Sequence, residues 1–449
     1  MNVVFFALVL IGFAVAAVRE VTWAPPPGAG EDVTSPMQAL GLGIVDTAES
    51  AVTLAIGLVG VMALFLGLMK VAERGGLMRV VAKALRPLMV RLFPEVPAQH
   101  PAMGAIIMNL SANVLGLGNA ATPFGIRAMQ QLDTLNPHKG TATNAMALFL
   151  AMNTSSVTLL PTGVIALRAA AGSQDPAGIV PTTLVATIIS TAVAITSAKL
   201  LQRYWTTPPP DPVTPAAETE AEAGPGPPDG DPTDVAEPTA AETLPPEEDG
   251  AYSLWVSLLI LGTVAALVPL TVLYGQTIAP WIIPALVVLL LGYGAAARVR
   301  VYEVFVEGAK DGFNVALRII PYLVAILVAV AMLRESGALQ LLIDPLSQVT
   351  RLVGLPGEAL PMALLRPLSG SGAYGVLASI IQDPAIGPDS YTGYLVSTFQ
   401  GSTETTFYVL AVYFGAVQIR RIRHALAAAL LADLAGIAGA VAITFHLYG

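Results

Sequence analysis

The sequence predicts an all-α polytopic membrane protein made of two repeats of opposite topology, each with a re-entrant helical hairpin. Three observations predict it. Hydrophobic residues make up 55% of the 449-residue chain and charged residues 12%, with a mean hydropathy of +0.69; soluble domains do not reach that balance. Apolar stretches of about 20 residues, enough for a helix to cross a bilayer, recur along the chain. The order of elements in the first half then returns in the second, the mark of an internal repeat.

Residues 2–18 are the first apolar segment; without a basic leading region they are expected to stay as a helix rather than leave as a signal peptide. A second span covers 51–69. Lys70, Arg74, Arg79, Lys83, Arg86 and Arg91 follow, with Leu77, Val80, Val81, Leu85, Leu88 and Met89 at helical spacing. This pattern predicts an amphipathic helix lying on the membrane surface. An apolar segment at 101–119 runs into a Gly/Asn-rich break, and spans are expected at 145–167 and 180–201. Residues 206–250 hold twelve acids, twelve prolines and no Lys or Arg, which predicts a disordered linker. Further spans are expected at 253–273, 281–297, 315–332, 360–381, 394–417 and 425–445. The domain reading is therefore 1–203, a linker at 204–250, and 251–449, with repeat units at about 48–170 and 306–418.

Both repeats run from a long span through a short helix to a small-residue break, NLSANVLGLGNAATPFG in one and LLRPLSGSGAYGVLAS in the other. Both then reach a hydroxyl-rich segment, AMNTSSVTLL and QGSTETTFYVL. Basic residues set the orientation. The six in 70–91 place that stretch in the cytoplasm, together with Lys199, Arg203, Arg298, Arg300, Lys310 and Arg420, Arg421 and Arg423. The matching stretch 334–353 holds only Arg334 and Arg351, balanced by Glu335 and Asp344, and is expected outside. These assignments agree if each break is a re-entrant hairpin, which makes the repeats inverted. Inverted repeats with interrupted segments are a transporter architecture, with the site near the midplane.

Glu404 is the most costly residue. A carboxylate at depth costs about 2.5–3.5 kcal/mol on insertion scales unless it is paired, protonated or wetted. Gln400 lies four positions earlier, so the two are expected on one helix face, beside Ser402 and Thr403. The first-half counterparts are Asn153, Thr154 and Ser155. Asn113, Asn119 and Thr122 around one break, and Ser369 and Ser371 around the other, are the remaining candidate solute ligands. Irregular backbone at that depth survives only inside protein or against a wet cavity. Arg366 is the candidate counter-ion to Glu404, with snorkelling to the interface as the other reading of its long stem. Small-residue packing between helices is the competing reading of the glycine-rich breaks.

Other chemistries find little support. Cysteine is absent, which excludes disulfides and thiolate chemistry. The four histidines do not pair with acids at metal-ligand spacing. No Walker loop or dinucleotide fingerprint appears, so no cofactor is expected. A serine hydrolase would need a base at depth beside Ser369 or Ser371, and no catalytic role is assigned. The net charge of −9 belongs to the linker: outside 206–250 there are nineteen acids against twenty-two bases. Nothing suggests nucleic acid as a partner.

The first half, through about residue 200, resembles spore maturation protein A in AVTLAIGLVGVMALFLGLMKVAERGGLMR, NLSANVLGLGNAATPFGIRAMQQL and FLAMNTSSVTLLP. The second, from about 252, resembles spore maturation protein B in GFNVALRIIPYLVAILVAVAMLRESGAL, LLRPLSGSGAYG and STFQGSTETTFYVLAVYFGAV. The chain thus looks like a fusion of the two, each half carrying a nucleoside-recognition, or Gate, domain. That group is also linked to concentrative nucleoside transporters and to the membrane part of the ferrous iron transporter B family. The resemblance implies an inner-membrane protein with a transport role. The expected partners are the lipid bilayer, a small polar solute of nucleoside-like chemistry, and a coupled proton or Na⁺; a homo-oligomer is compatible with this. A non-transporting scaffold or sensor in envelope or spore maturation is one alternative expectation, and a divalent-cation path is another.

Overall fold

The structure, a computed structural model, describes residues 2–24, 34–155, 157–205 and 252–449. Positions 206–250 of the expected linker lie outside the described residues. The chain is all-α, and no β-strand forms among the described residues. Helix α1 (Asn2–Thr22) precedes a first series: α2 (Pro36–Arg74), α3 (Leu77–Leu92), α4 (Pro101–Val114), α5 (Gly118–Thr134), α6 (Asn144–Thr154), α7 (Thr162–Ala170) and α8 (Ile179–Leu201). Helix α9 (Leu254–Ala296) leads into a second series: α10 (Val301–Glu335), α11 (Ala338–Thr350), α12 (Leu360–Leu365), α13 (Gly370–Gln382), α14 (Tyr391–Ser402), α15 (Thr406–Gly415) and α16 (Ala425–Tyr448). The two series correspond one to one. Gly76 and Gly337, both left-handed, turn each long helix into its short amphipathic successor. Thr143 and Ser390 cap α6 and α14 in the same way, each hydroxyl accepting from the N–H three residues on.

The corresponding helices run antiparallel. Gly43 of α2 lies against Glu335 of α10, Met62 against Gly312, and Gly67 against Phe305. Gly178, just before α8, accepts from Tyr448 Oη of α16, and Ser197 of α8 donates to Ala428 O. Two repeats of the same topology would set these pairs parallel; antiparallel pairing is the signature of inversion. Four described helical segments are long and apolar enough to cross a membrane, Phe5–Thr22, Pro36–Arg74, Pro176–Leu201 and Ala425–Tyr448, and the protein is a multi-pass membrane protein.

Basic residues collect at one end. Arg420 and Arg421 donate their N–H groups to Gly140 O, Lys199 Nζ reaches Leu92 O, and Arg74 meets Glu307. The opposite end holds Arg334 with Asp383, and Arg168 with Asp389.

Several expected spans are corrected. Residues 145–167 and 394–417 are not single helices: the first breaks at 155–161 between α6 and α7, the second at 403–405 between α14 and α15. Residues 360–381 divide into α12 and α13, and 101–119 into α4 and the start of α5. The spans at 253–273 and 281–297 join in α9 across a kink at Tyr274. Gln400 and Glu404 do not share a helix face, because α14 ends at Ser402 and Thr403 is extended, φ −139° and ψ 160°. The Thr403 carbonyl accepts from Arg366, a partner that no local pattern supplies.

Candidate functional site: the meeting point of two broken helices

Helices α6 and α14 enter from opposite ends and stop against each other. The Glu404 N–H donates to Thr154 O at 2.9 Å, tying the end of one to the break of the other. Each break is braced by the hairpin of its own repeat. In the first, Leu159 N donates to Val114 O and Gly116 packs on Leu160 O. In the second, Phe407 N donates to Pro367 O, while Arg366 holds Thr403 O and, at 3.1 Å, Thr405 Oγ1. Both helices aim their carbonyl ends at this point, and α7 and α15 start from it. The C-termini of α6 and α14 carry partial negative charge and the N-termini of α7 and α15 partial positive charge, so the point offers both acceptors and donors.

Arg366 is buried, and its guanidinium lies 3.5 Å from a Glu404 carboxylate oxygen. The Glu404 side chain is 52% exposed despite its depth along the chain's membrane segment. Asn113 Nδ2 donates to Asn153 Oδ1 at 3.0 Å, and Asn153 Nδ2 donates back to Phe149 O. Thr154, Ser155 and Ser402 are buried and give their hydroxyl protons to carbonyls of their own helices, as hydroxyls in membrane helices commonly do. Gln400 is half-buried, with Oε1 lacking a hydrogen-bond partner. Ser369 caps α13 through Gly372 N, and Ser371 is half-buried on the first turn of that helix. Thr122 is half-buried one turn into α5. The side chain of Asn119 and the whole of Ser156 lie outside the described residues.

Three groups escaped the sequence reading. Asp433 of α16 is buried and accepts from Thr406 Oγ1 at 2.6 Å; a lone acid in the last span was the available signal. Tyr413 of α15 joins the first-repeat amides, accepting from Asn109 Nδ2 at 3.2 Å and donating to Asn153 Oδ1 at 3.4 Å. Arg168 is fully buried at the end opposite the basic one. It donates to Pro388 O, Ser397 Oγ, Ser173 Oγ, Asp175 O and Asp389 Oδ1, and stacks 4.2 Å from the Tyr394 ring centre. Nothing local marks it, since Asp389 is 221 positions away.

Gly116 tests the hairpin brace. Its φ is +75°, and a Cβ there would collide with the Leu160 carbonyl, which is backbone and fixed. Left-handed backbone alone costs a residue with a Cβ about 1–2 kcal/mol. Gly116→Ala is therefore expected to destabilise the protein by about 2–3 kcal/mol once the clash is added, read as a lowered thermal unfolding midpoint in detergent.

At the basic end, His424 precedes α16, fully buried with neither ring nitrogen hydrogen-bonded. Burial, and next the charge of Arg423, push its pKa down from 6.5 to about 4. The folded state thus resists a proton that the unfolded chain accepts. This group does not oppose folding above pH 6.5, and stability drops as pH falls from 6.5 towards 4. Thermal unfolding across that window should show the decline, and His424→Phe, which keeps the ring contact with Trp205, should flatten it.

The model of the "Nucleoside recognition" family, Gate, matches residues 55–171 and 316–420, one segment in each repeat. Spore maturation protein B of Bacillus subtilis (strain 168) is 47% identical over 167 residues, 37% of this chain and 93% of that protein. Spore maturation protein A of the same strain is 48% identical over 158 residues, 35% of this chain and 79% of that protein. The inner membrane protein YjiG of Escherichia coli (strain K12) is 36% identical over 84 residues, 18% of this chain and 55% of that protein. Among solved structures, CNTnw in an inward-facing substrate-bound state aligns over 98% of this chain and 97% of that one, with a TM-score of 0.40 and 14% identity. Two relatives matched over most of their length, each over about a third of the chain, fit a fusion, and the chain belongs to the Gate-domain family of spore maturation proteins A and B.

Proposed function

We propose that the protein is an inner-membrane transporter of a small polar solute, nucleoside-like in chemistry, working by alternating access between its two Gate repeats. The basic end is then cytoplasmic. The observation that carries this reading is the half-exposed Glu404, set where the carbonyl ends of α6 and α14 converge, with Arg366 at 3.5 Å. The Glu404 carboxylate and the free Gln400 Oε1 seek donors, and the amides of Asn113 and Asn153 and the helix ends around them add polar groups of both kinds. Ribose hydroxyls and base N–H groups supply such donors. Thr154, Ser155, Ser402 and Thr403 shape its walls, Thr122, Ser369 and Ser371 border it from the hairpins, and Arg366 balances Glu404 when no solute is bound. A proton or Na⁺ is the coupled ion.

The second reading, a non-transporting scaffold or sensor, takes its support from the hydroxyls of Thr154, Ser155 and Ser402, all turned onto carbonyls of their own helices, and from the spore maturation relatives. Uptake into proteoliposomes, screened with radiolabelled nucleosides and related metabolites under imposed proton or Na⁺ gradients, separates the two. Transport predicts saturable uptake of at least one solute. A folded protein that moves none would leave the scaffold.

A further inference from the structure

We infer that Asp433 is the protonation site of a three-charge cluster formed with Arg366 and Glu404, and that this proton is the coupled ion. The second clause rests on the transport reading; the first does not. Asp433 is 2% exposed, and one of its carboxylate oxygens takes the Thr406 hydroxyl at 2.6 Å. The other oxygen, Oδ1, has no hydrogen-bond partner, and neither has the buried Arg366 Nε. A single neutral hydrogen bond does not hold an ionised carboxylate at membrane depth. Adjacent residues join Arg366 to Asp433: Arg366 donates to Thr405 Oγ1, Thr406 Oγ1 donates to Asp433, and the same guanidinium lies 3.5 Å from Glu404. One guanidinium therefore faces two carboxylates, and one proton on Asp433 makes the cluster neutral.

Among the described residues of the helices packed on α16, no other charge lies beside Asp433, and the one other acid-base group of α16 besides its terminal tyrosine, His446, is in its last turn. Among the helices packed on α16, α8 offers Ser190 at this level, and its one ionisable residue, Lys199, lies at the basic end. Helix α6 has none, and α9, α14 and α15 contribute only tyrosines: Tyr274 and Tyr293, Tyr391 and Tyr394, Tyr408 and Tyr413. In the first repeat, the residue of α8 that meets the corresponding break is Thr191, which donates to Ser155 O. The charged arrangement thus belongs to the second repeat alone. When Asp433 gives its proton to water at the break, Arg366 gains a second anionic partner. Its hold on Glu404 weakens, and Glu404 is released to the solute's donors.

Infrared difference spectroscopy of the full chain in lipid nanodiscs, titrated from acid to alkaline pH, tests this. The expected result is one C=O band of a protonated carboxylic acid that survives above the pH range in which exposed carboxylates ionise. It should shift on ¹³C-aspartate labelling and be lost in Asp433→Asn. If Asp433→Asn fails to fold, Asp433→Glu makes the assignment, because its band no longer shifts with labelled aspartate. Absence of an aspartate band above that range, its persistence in a folded Asp433→Asn, or its removal by Na⁺ at constant pH would overturn the assignment. If the band appears and no solute moves, the transport reading fails and the protonation site stands. If Asp433→Asn transports with wild-type pH dependence, the coupling clause fails.

Discussion

Arg168→Ala is expected to destabilise the protein by about 3–5 kcal/mol, the usual result of removing one partner from a buried charged network. The guanidinium is fully buried and serves five acceptors on the segment after α7, the loop before α14, and α14 itself. Removing it leaves the Pro388 and Asp175 carbonyls without this donor, and Asp389 loses its positive partner. Asp389 is one-third exposed and regains some hydration, which keeps the effect from running higher. Arg168→Lys keeps the charge but not the planar fork, so it should recover only part of the loss. Thermal unfolding of the purified variants measures both. Hydrogen exchange should show the loosening confined first to residues 171–175 and 383–390, because the opposite end is joined separately, through Gly140 and Arg421.

Glu404→Gln should abolish uptake, or uncouple it from the ion gradient, while the protein stays folded in the membrane. The amide keeps the shape of the side chain and removes its charge, so Arg366 loses its 3.5 Å ion partner and keeps its bonds to Thr403 and Thr405. Folding is expected to change little, because the Glu404 side chain is half-exposed and its backbone N–H, the group that joins the two repeats, is untouched. The assay is initial-rate uptake against pH in proteoliposomes, with unfolding midpoints as the control. Unchanged rate and pH dependence would remove Glu404 from the mechanism.

Much of the fold was legible because the chain states it twice. The order of long span, amphipathic helix, small-residue break and hydroxyl-rich segment survives in the structure as α2 to α7 and α10 to α15. The helix interruptions were only half legible. Residues 145–167 and 394–417 are apolar enough to read as single spans, yet each breaks where a hairpin from the same repeat supplies the missing hydrogen bonds, Val114 O to Leu159 and Pro367 O to Phe407. Such braces lie some 40 positions away and leave no periodic trace. That is why Gln400 and Glu404 were set on one face and are not. Nothing in the sequence singles out Arg168, because its partner Asp389 is brought to it only by the fold. Asp433 is different: the cost of an acid in a span, which singled out Glu404, applied equally to LLADLAGIAGAV.

Transport through the meeting point of the broken helices requires it to be a water-filled site rather than a surface against lipid. The chain has no cysteine, so Gln400→Cys and Glu404→Cys each introduce a single thiol. A charged, membrane-impermeant thiol reagent added to intact proteoliposomes reads its environment directly, since only a hydrated thiol ionises and reacts. Both positions should be modified from the aqueous phase, and a transported solute should slow the reaction. Thiols that stay unreactive from either side of the membrane, yet react fully once the protein is unfolded, would contradict a water-filled site.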